Sequence, residues 1–359
     1  MKEGMLMKQL FESFSLRNLS IKNRVCVPPM VCFDFSDQTG YVTDANIEHY
    51  RAIAKGHPGL IIQEATCITP DGRLHESQLG IWSDEHVHGL KQIVDAVHKE
   101  DCPIVVQIHH AGLVGIAKQP LCPDSYELQS GVVGKKMSDE DINHIREAFI
   151  SAGCRAYQAG YDGVELHGCH KYLLCQFLNA NVNQRDDLYG KEPERLIIEI
   201  VDGIRKKTSQ EFIIGIRLGA FEPTLQDGLR HAKILEEHGI DFLDISYGFV
   251  GEHEASEPFI EVPVEFPFKD IVYAAGEFKK QCNIPIFAVN SIRSPADANR
   301  VLELTDVDMV DIGRSILVDP DWPAKAKEGI EPGRCMGCKV CQWRFDYTNC
   351  PGLKKMHAK

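Results

Sequence analysis

The chain has 359 residues, 43% of them hydrophobic and 25% charged, with 29 Gly and 18 Pro, a composition that excludes fibrous, disordered and small stapled folds. Lys and Arg total 39 against 52 Asp and Glu, and the net charge of −13 speaks against nucleic acid as a partner. No run approaches the roughly 18 apolar residues of a membrane span, and Met1 to Leu10 is too polar for a signal peptide, so the expectation is a cytoplasmic protein without a membrane partner.

Short apolar runs rich in Val and Ile recur along the chain. In order they are Arg24 to Met30, Gly59 to Glu64, Pro103 to Ile108, Gly163 to Leu166, Phe212 to Arg217, Phe242 to Ser246, Pro285 to Val289 and Met309 to Gly313. Most are continuously apolar and not alternating, as parallel strands covered on both faces require. Between them, Asp84 to Glu100, Ser138 to Ala159, Glu194 to Lys207, Ala232 to His238 and Pro295 to Leu304 read as amphipathic helices. Ser138 is placed as an N-cap before the acidic first turn Asp139, Glu140, Asp141. Strands alternating with helices and no linker-like stretch predict an α/β fold, a single (β/α)8 TIM barrel over residues 1–330 with a short cysteine-containing C-terminal tail over 331–359. A doubly wound sheet is the runner-up, but no strand runs into a Gly-x-Gly-x-x-Gly turn.

Barrels of this class carry their chemistry at the C-terminal ends of the strands. Here those positions hold Pro28, Pro29 and Met30, then Glu64 and Ala65, Gln107, His167, Arg217, Ser246 and Tyr247, Asn290 and Ser291, and Gly313 and Arg314. Two arginines, an amide and few free carboxylates imply an anionic ligand. A Gln107 side chain both donates and accepts, which suits a flat heterocycle with alternating C=O and N–H, and Arg217 would stabilise negative charge developing on such a ring. Taken alone, Gln107 reads equally as a buried amide and Arg217 as a structural ion-pair partner. Gly313-Arg314 allows close approach of backbone to a phosphate, in the region where barrels often hold one. Together these point to a flavin mononucleotide.

His167 and His170 stand three apart with Tyr172 close behind. The spacing also suits a metal, but the sequence offers no third ligand, and paired imidazoles serve well to polarise one carbonyl oxygen. Tyr172 would then donate a proton, or else pack as an ordinary aromatic at the barrel mouth.

The stretches Asn23 to Met30, Gln107 to Gly112, His167 to Gly190, Arg217 in GIRLGA and Ile312-Gly313-Arg314 resemble the Old Yellow Enzyme family of FMN-dependent ene-reductases. That resemblance implies that Pro28, Pro29, Met30, Val31, Ala65, Gln107, Arg217, Asn290, Gly313 and Arg314 line the FMN. It implies that His167 and His170 bind the substrate carbonyl and that Tyr172 is the proton donor. NAD(P)H would be the reductant and an activated alkene the small-molecule substrate, with a homo-oligomer left open. Departures are Val31 and Phe33, where many bacterial members have Cys and Tyr, Asn290-Ser291 in place of a Gly pair near the phosphate, and Leu113 in place of a frequent Arg. Outside that reading stand an FMN-dependent amine dehydrogenase and, from another class, a metal-dependent TIM-barrel hydrolase.

Thirteen cysteines are present, nine scattered singly and four clustered as Cys335-x2-Cys338-x2-Cys341-x8-Cys350. The cluster resembles the tail that carries a [4Fe–4S] centre in dienoyl-CoA reductases and trimethylamine dehydrogenase, with a shorter last spacing. An iron–sulfur or zinc site and a set of free thiols are both compatible with it.

Overall fold

The computed structural model describes residues 9–251 and 255–357. Met1 to Lys8, most of the segment read above as too polar for a signal peptide, lies outside the described residues. Eight parallel strands close a barrel: β1 (Val25–Val27), β2 (Leu60–Cys67), β3 (Ile104–His109), β4 (Gly163–Gly168), β5 (Ile213–Gly219), β6 (Phe242–Ser246), β7 (Ile286–Ala288) and β8 (Met309–Asp311). Each pairs with its sequence neighbour, and β8 returns to β1 through Val310 opposite Val25. All eight apolar runs named from sequence supply a strand, and every strand residue is buried.

Helices α1 (Asp44–Lys55), α2 (His86–His98), α3 (Asp139–Ala159), α4 (Arg195–Lys207), α5 (Leu225–Glu237), α6 (Asp270–Gln281) and α7 (Pro295–Thr305) cover the outside. Ser138 caps α3 in a reciprocal box with Asp141, and Gly160 ends the helix at φ 90°. Helix α5 starts seven residues before the predicted Ala232, because Thr224 and Asp227 form a capping box that the apolar pattern alone does not show. The same box recurs at Thr43 and Ser294.

Two layers of core result. Between strands and helices lies a continuous apolar shell that includes Phe149, Ile200 and Phe278. Inside the barrel, Leu60, Ile62, Val105, Ile213, Phe242, Phe287 and Met309 fill the N-terminal end, with the Phe242 and Phe287 rings stacked at 4.7 Å. Leu16 and Ile21, on a hairpin of Phe14–Leu16 and Leu19–Ile21, close that end from below. Burial of each such large side chain contributes roughly 1.5–3 kcal/mol. With the bottom plugged by hydrocarbon, polar chemistry is confined to the upper half and the mouth.

The C-terminal segment folds back onto that mouth. Leu317 and Cys32 of the barrel pack with Trp343, and Cys341, Cys350 and Leu353 lie against the same cluster.

Candidate active site

Register brings the site together. Gln107 on β3 lies opposite Glu165 on β4, Arg217 on β5 lies opposite His167 on one side and Asp244 on the other, and Asp311 on β8 lies opposite Cys26 on β1. A register shift between Gln63 and Thr66 turns Ala65 at the end of β2 out of the regular ladder, and Gln78 Nε2 ties its carbonyl at 2.8 Å.

Gln107 Nε2 donates to Glu165 Oε2 at 2.5 Å. Its own carbonyl oxygen keeps no partner among the described residues, as a group awaiting a ligand N–H does. Arg217 is 5% exposed; its Nε is 3.3 Å from Asp244 Oδ2 and its Nη2 is 3.8 Å from Asp311 Oδ2. Both contacts are ion pairs without hydrogen-bond alignment, which leaves Arg217 Nε and the four carboxyl oxygens unsatisfied. The Asp244 and Asp311 oxygens are satisfied once these acids carry protons, since each then donates to a neighbouring carboxyl, and Arg217 Nε is the atom left over.

The sequence reading expected few carboxylates here, and the structure corrects it. Glu165, Asp244 and Asp311 sit in a buried layer just beneath the strand ends, hidden in the runs GVEL, FLDIS and MVDIG. Three carboxylates beside one guanidinium cannot all stay ionised in a dry interior. Burial first, then mutual repulsion, pushes Glu165 and Asp311 far above the usual range, and burial raises Asp244 against the pull of Arg217. Cys26, facing the same layer, is likewise pushed up by burial and then by these acids.

Above this layer stands a chain of imidazoles. His109 Nδ1 is 3.1 Å from His167 Nδ1, His167 Nε2 is 3.2 Å from His170 Nδ1, and His170 Nε2 is 2.7 Å from Ser246 Oγ. Burial, then the neighbouring rings, holds His109 and His167 well below the ordinary imidazole range, with Arg217 adding to the effect at His167. Each ring is therefore neutral near pH 7 and carries one proton, so the chain donates in a single direction along its length. His109 is the member the sequence reading passed over, although it stands inside the quoted Gln107 to Gly112 stretch. The period-2 alternation that points Gln107 inward does the same for His109.

Tyr172 immediately precedes the short helix Leu173–Leu178, with its ring edge-on to His109 at 4.4 Å and to His167 at 4.5 Å. Its hydroxyl makes no hydrogen bond among the described residues. Burial raises its pKa to about 12, so it stays a protonated donor. His170 and Lys171 both adopt left-handed backbone, at φ 56° and 68°, and it is this bend that returns Tyr172 over the imidazoles.

Cys169 Sγ lies with the ring nitrogens of His167 and His170 in a group within 4.8 Å, a third ligand type that the sequence spacing did not reveal. Burial keeps that thiol strongly protonated, and the ring nitrogens are engaged with one another and with Ser246. A thiol held in its protonated form is a poor metal ligand, which speaks against metal ligation by this trio.

The remaining expected contacts frame this centre. A Cβ on Gly313 would come within 3.0 Å of Met30 Sδ and 3.1 Å of Pro28 Cγ, so the missing side chain lets the end of β8 close on the turn after β1. Arg314 opens the helix Arg314–Val318 and is exposed. Asn290 and Ser291, standing where a Gly pair is usual, take up the glycine-like backbone itself, at φ 104° and 59°. Pro29, Met30 and Val31 are partly exposed at the same rim. A cavity of about 930 Å³ opens between Tyr247 and the segment 255–270, beside this centre; its walls include Glu257 and Glu261 and none of Gln107, Arg217 or Tyr172.

The tail thiols stand apart from this group. Cys335 Sγ accepts from the Gly337 N–H at 3.3 Å, and Cys341 and Cys350 pack against Trp343. Among the described residues no three of the tail thiols come within 4.8 Å of one another.

A family model for NADH:flavin oxidoreductases and NADH oxidases matches residues 9–332. An NADH oxidase of Thermoanaerobacter brockii is 35% identical over 348 residues, covering 92% of this chain and 53% of its own length. An NADPH dehydrogenase of Geobacillus thermodenitrificans is 33% identical over 328 residues, covering 89% of this chain and 94% of its own length. This chain thus spans about half of the first relative and nearly all of the second. Among solved structures, a complex of 2-naphthoyl-CoA reductase superposes with a TM-score of 0.82 at 25% identity, over 92% of this chain and 54% of that one. An Old Yellow Enzyme homologue from Zymomonas mobilis superposes at 0.78 and 22% identity, over 96% and 99%, a likeness of fold. With a buried guanidinium, an amide and a glycine-closed rim at its strand ends, the chain belongs to the NADH:flavin oxidoreductase / NADH oxidase family.

Proposed function

We propose that this protein passes hydride from NAD(P)H, by way of FMN, to the β-carbon of an α,β-unsaturated carbonyl compound. FMN supplies the hydride when bound at the strand ends. Gln107, Arg217, Ala65, Pro28, Pro29, Met30, Val31, Asn290, Gly313 and Arg314 are the residues assigned to hold it. The observation that carries the reading is the neutral imidazole chain with Tyr172 edge-on to it. His167 and His170 polarise the carbonyl oxygen and hold the conjugated system flat, while Tyr172 delivers a proton to the α-carbon. The His167 and His170 rings bond each other and Ser246 in the free site, so carbonyl binding exchanges one of these contacts for a ring N–H donated to the oxygen, which favours the excess negative charge developing there.

Anaerobic turnover of 2-cyclohexenone with NAD(P)H tests the reading. Cyclohexanone should form in proportion to donor consumed, and reduced enzyme that returns to the oxidised form with oxygen but not with the enone would refute it.

We further assign Cys335, Cys338, Cys341 and Cys350 to a [4Fe–4S] centre borne by the tail, with residues 1–330 as the barrel unit. Four soft thiolate ligands in one short segment are the donor set such a cluster takes, and zinc is the alternative that the same set would hold. Iron and acid-labile sulfide in anaerobically purified protein should each approach four per chain; their absence together with bound zinc would reverse the assignment. No described helix is long and apolar enough to cross a membrane. A cytoplasmic location and a homo-oligomeric state remain part of the same proposal.

A further inference from the structure

The tail forms one wall of the barrel mouth, and three successive residues fix it there. Trp343, 7% exposed, packs with Cys32 and Leu317, and its ring lies 6.4 Å from Phe35 and 6.2 Å from His49. The carbonyl of Arg344 accepts a hydrogen bond from the Phe33 N–H at 2.8 Å. The Phe345 ring lies 5.8 Å from Phe33 and 6.1 Å from His75, and Phe33 in turn stacks on His75 at 4.3 Å. Phe33 follows Met30 and Val31 in the loop that leaves β1, so the tail backbone is tied directly to the rim of the site.

Between these two anchors the Arg344 side chain is exposed. Its guanidinium sits 5.0 Å above the Phe345 ring and has no ion pair or hydrogen bond among the described residues. An arginine resting on its own aromatic neighbour is ordinary on a surface. The setting here is not ordinary. Its positive charge reaches Tyr172 and favours the phenolate there, against the larger effect of burial. Within the site the buried His109 and His167 imidazoles are neutral, and the charge of Arg217 is offset by the acids below. A cation at the rim of a protein with net charge −13 creates a local attraction for an anion that the protein as a whole repels. The rings of Phe33, His75 and Phe345 beside it offer flat apolar surface.

We propose that Arg344 determines specificity by pairing with a carboxylate on the far end of the substrate, so that the preferred alkene is a flat conjugated carbonyl compound bearing a second, anionic group. The inference rests on the ene-reductase reading for the placement of the carbonyl at His167 and His170. No step of the reduction itself involves Arg344, which acts on binding.

Binding to oxidised holoenzyme, read from the flavin absorbance change, tests this without turnover. The probes are cinnamaldehyde and 4-carboxycinnamaldehyde, for the wild type, Arg344→Gln and Arg344→Lys. The wild type should hold the carboxylated aldehyde at least about ten-fold tighter than the neutral one, in line with a charge-assisted pair. Arg344→Gln should erase that preference while leaving cinnamaldehyde affinity within about two-fold, and Arg344→Lys should keep most of it. Equal affinity of the wild type for both aldehydes, or equal loss of both in Arg344→Gln, overturns the proposal. A change confined to NADPH relative to NADH also overturns it, by assigning Arg344 to the donor phosphate. If the preference is present but neither aldehyde is reduced, the fault lies with the ene-reductase reading and not with the role of Arg344.

Discussion

Arg217 Nε stands 3.3 Å from Asp244 Oδ2 in the floor of the site, and the two side chains come from directly paired positions of neighbouring strands. The guanidinium that a reduced flavin would lean on is thus already partly neutralised from below. Asp311, 3.8 Å from Arg217 Nη2, and Glu165 complete a layer in which one permanent cation faces three acids.

This layer should make stability fall as pH rises. Glu165 and Asp311 have folded pKa values well above those of the unfolded chain, so the folded state binds more protons wherever the unfolded acids have already lost theirs. The loss should begin near the ordinary carboxyl range of about 4 and continue upward through the raised folded values. Asp311→Asn keeps the shape of the protonated acid and removes one contributor, so its melting temperature should decline less steeply than that of wild type between pH 5 and 8. Parallel thermal-melt curves for the two holoenzymes would show that Asp311 is ionised in the fold.

Asn290 and Ser291 hold left-handed backbone at φ 104° and 59° without being glycine. Each such position costs on the order of 1 kcal/mol or more, while glycine costs up to about 1 kcal/mol through the unfolded chain. Ser291→Gly should leave stability unchanged or raise it by up to about 1 kcal/mol, and a swap to Val should lower it by more than that. Urea midpoints of the holoenzymes measure both, and a Val variant as stable as wild type would show that the backbone relaxes freely there.

The imidazole chain should bind phenolates. A para-substituted phenol titrated into oxidised enzyme should give a long-wavelength charge-transfer band, because N–H groups at His167 and His170 favour an oxygen bearing negative charge. In the His167→Ala, His170→Ala double variant the phenol should bind roughly 10- to 100-fold more weakly, as expected on loss of hydrogen bonds to a charged group. A band of unchanged intensity and affinity in that variant would remove the pair from ligand binding.

The barrel was legible because each strand is an uninterrupted apolar run, a pattern that parallel strands buried on both faces impose. Ser138 and Pro295 marked helix starts in the same direct way, by side-chain capping and by a preset φ. Gln107, Arg217, His167, His170 and Tyr172 converge because strand ends of a closed barrel converge, so strand order alone brought them together. What the sequence concealed depends on register and on distant contacts. Glu165, Asp244 and Asp311 looked like interruptions in apolar runs, and only the pairing of five strands shows that they face Arg217. His109 was masked by its neighbour His110 until alternation along β3 was fixed. The docking of Trp343 on Cys32 joins residues 311 apart, a separation that no local pattern encodes.

The central claim is that Tyr172 protonates the alkene as hydride arrives, and the two half-reactions followed separately by anaerobic stopped-flow test it most directly. With its pKa raised to about 12, Tyr172 is a protonated donor throughout the neutral range. Tyr172→Phe should leave reduction of the flavin by NAD(P)H near the wild-type rate and slow its reoxidation by 2-cyclohexenone by roughly 10²- to 10⁴-fold, the usual contribution of a positioned acid. Reoxidation of the variant at the wild-type rate would contradict the account and assign the proton to water or to the imidazole chain.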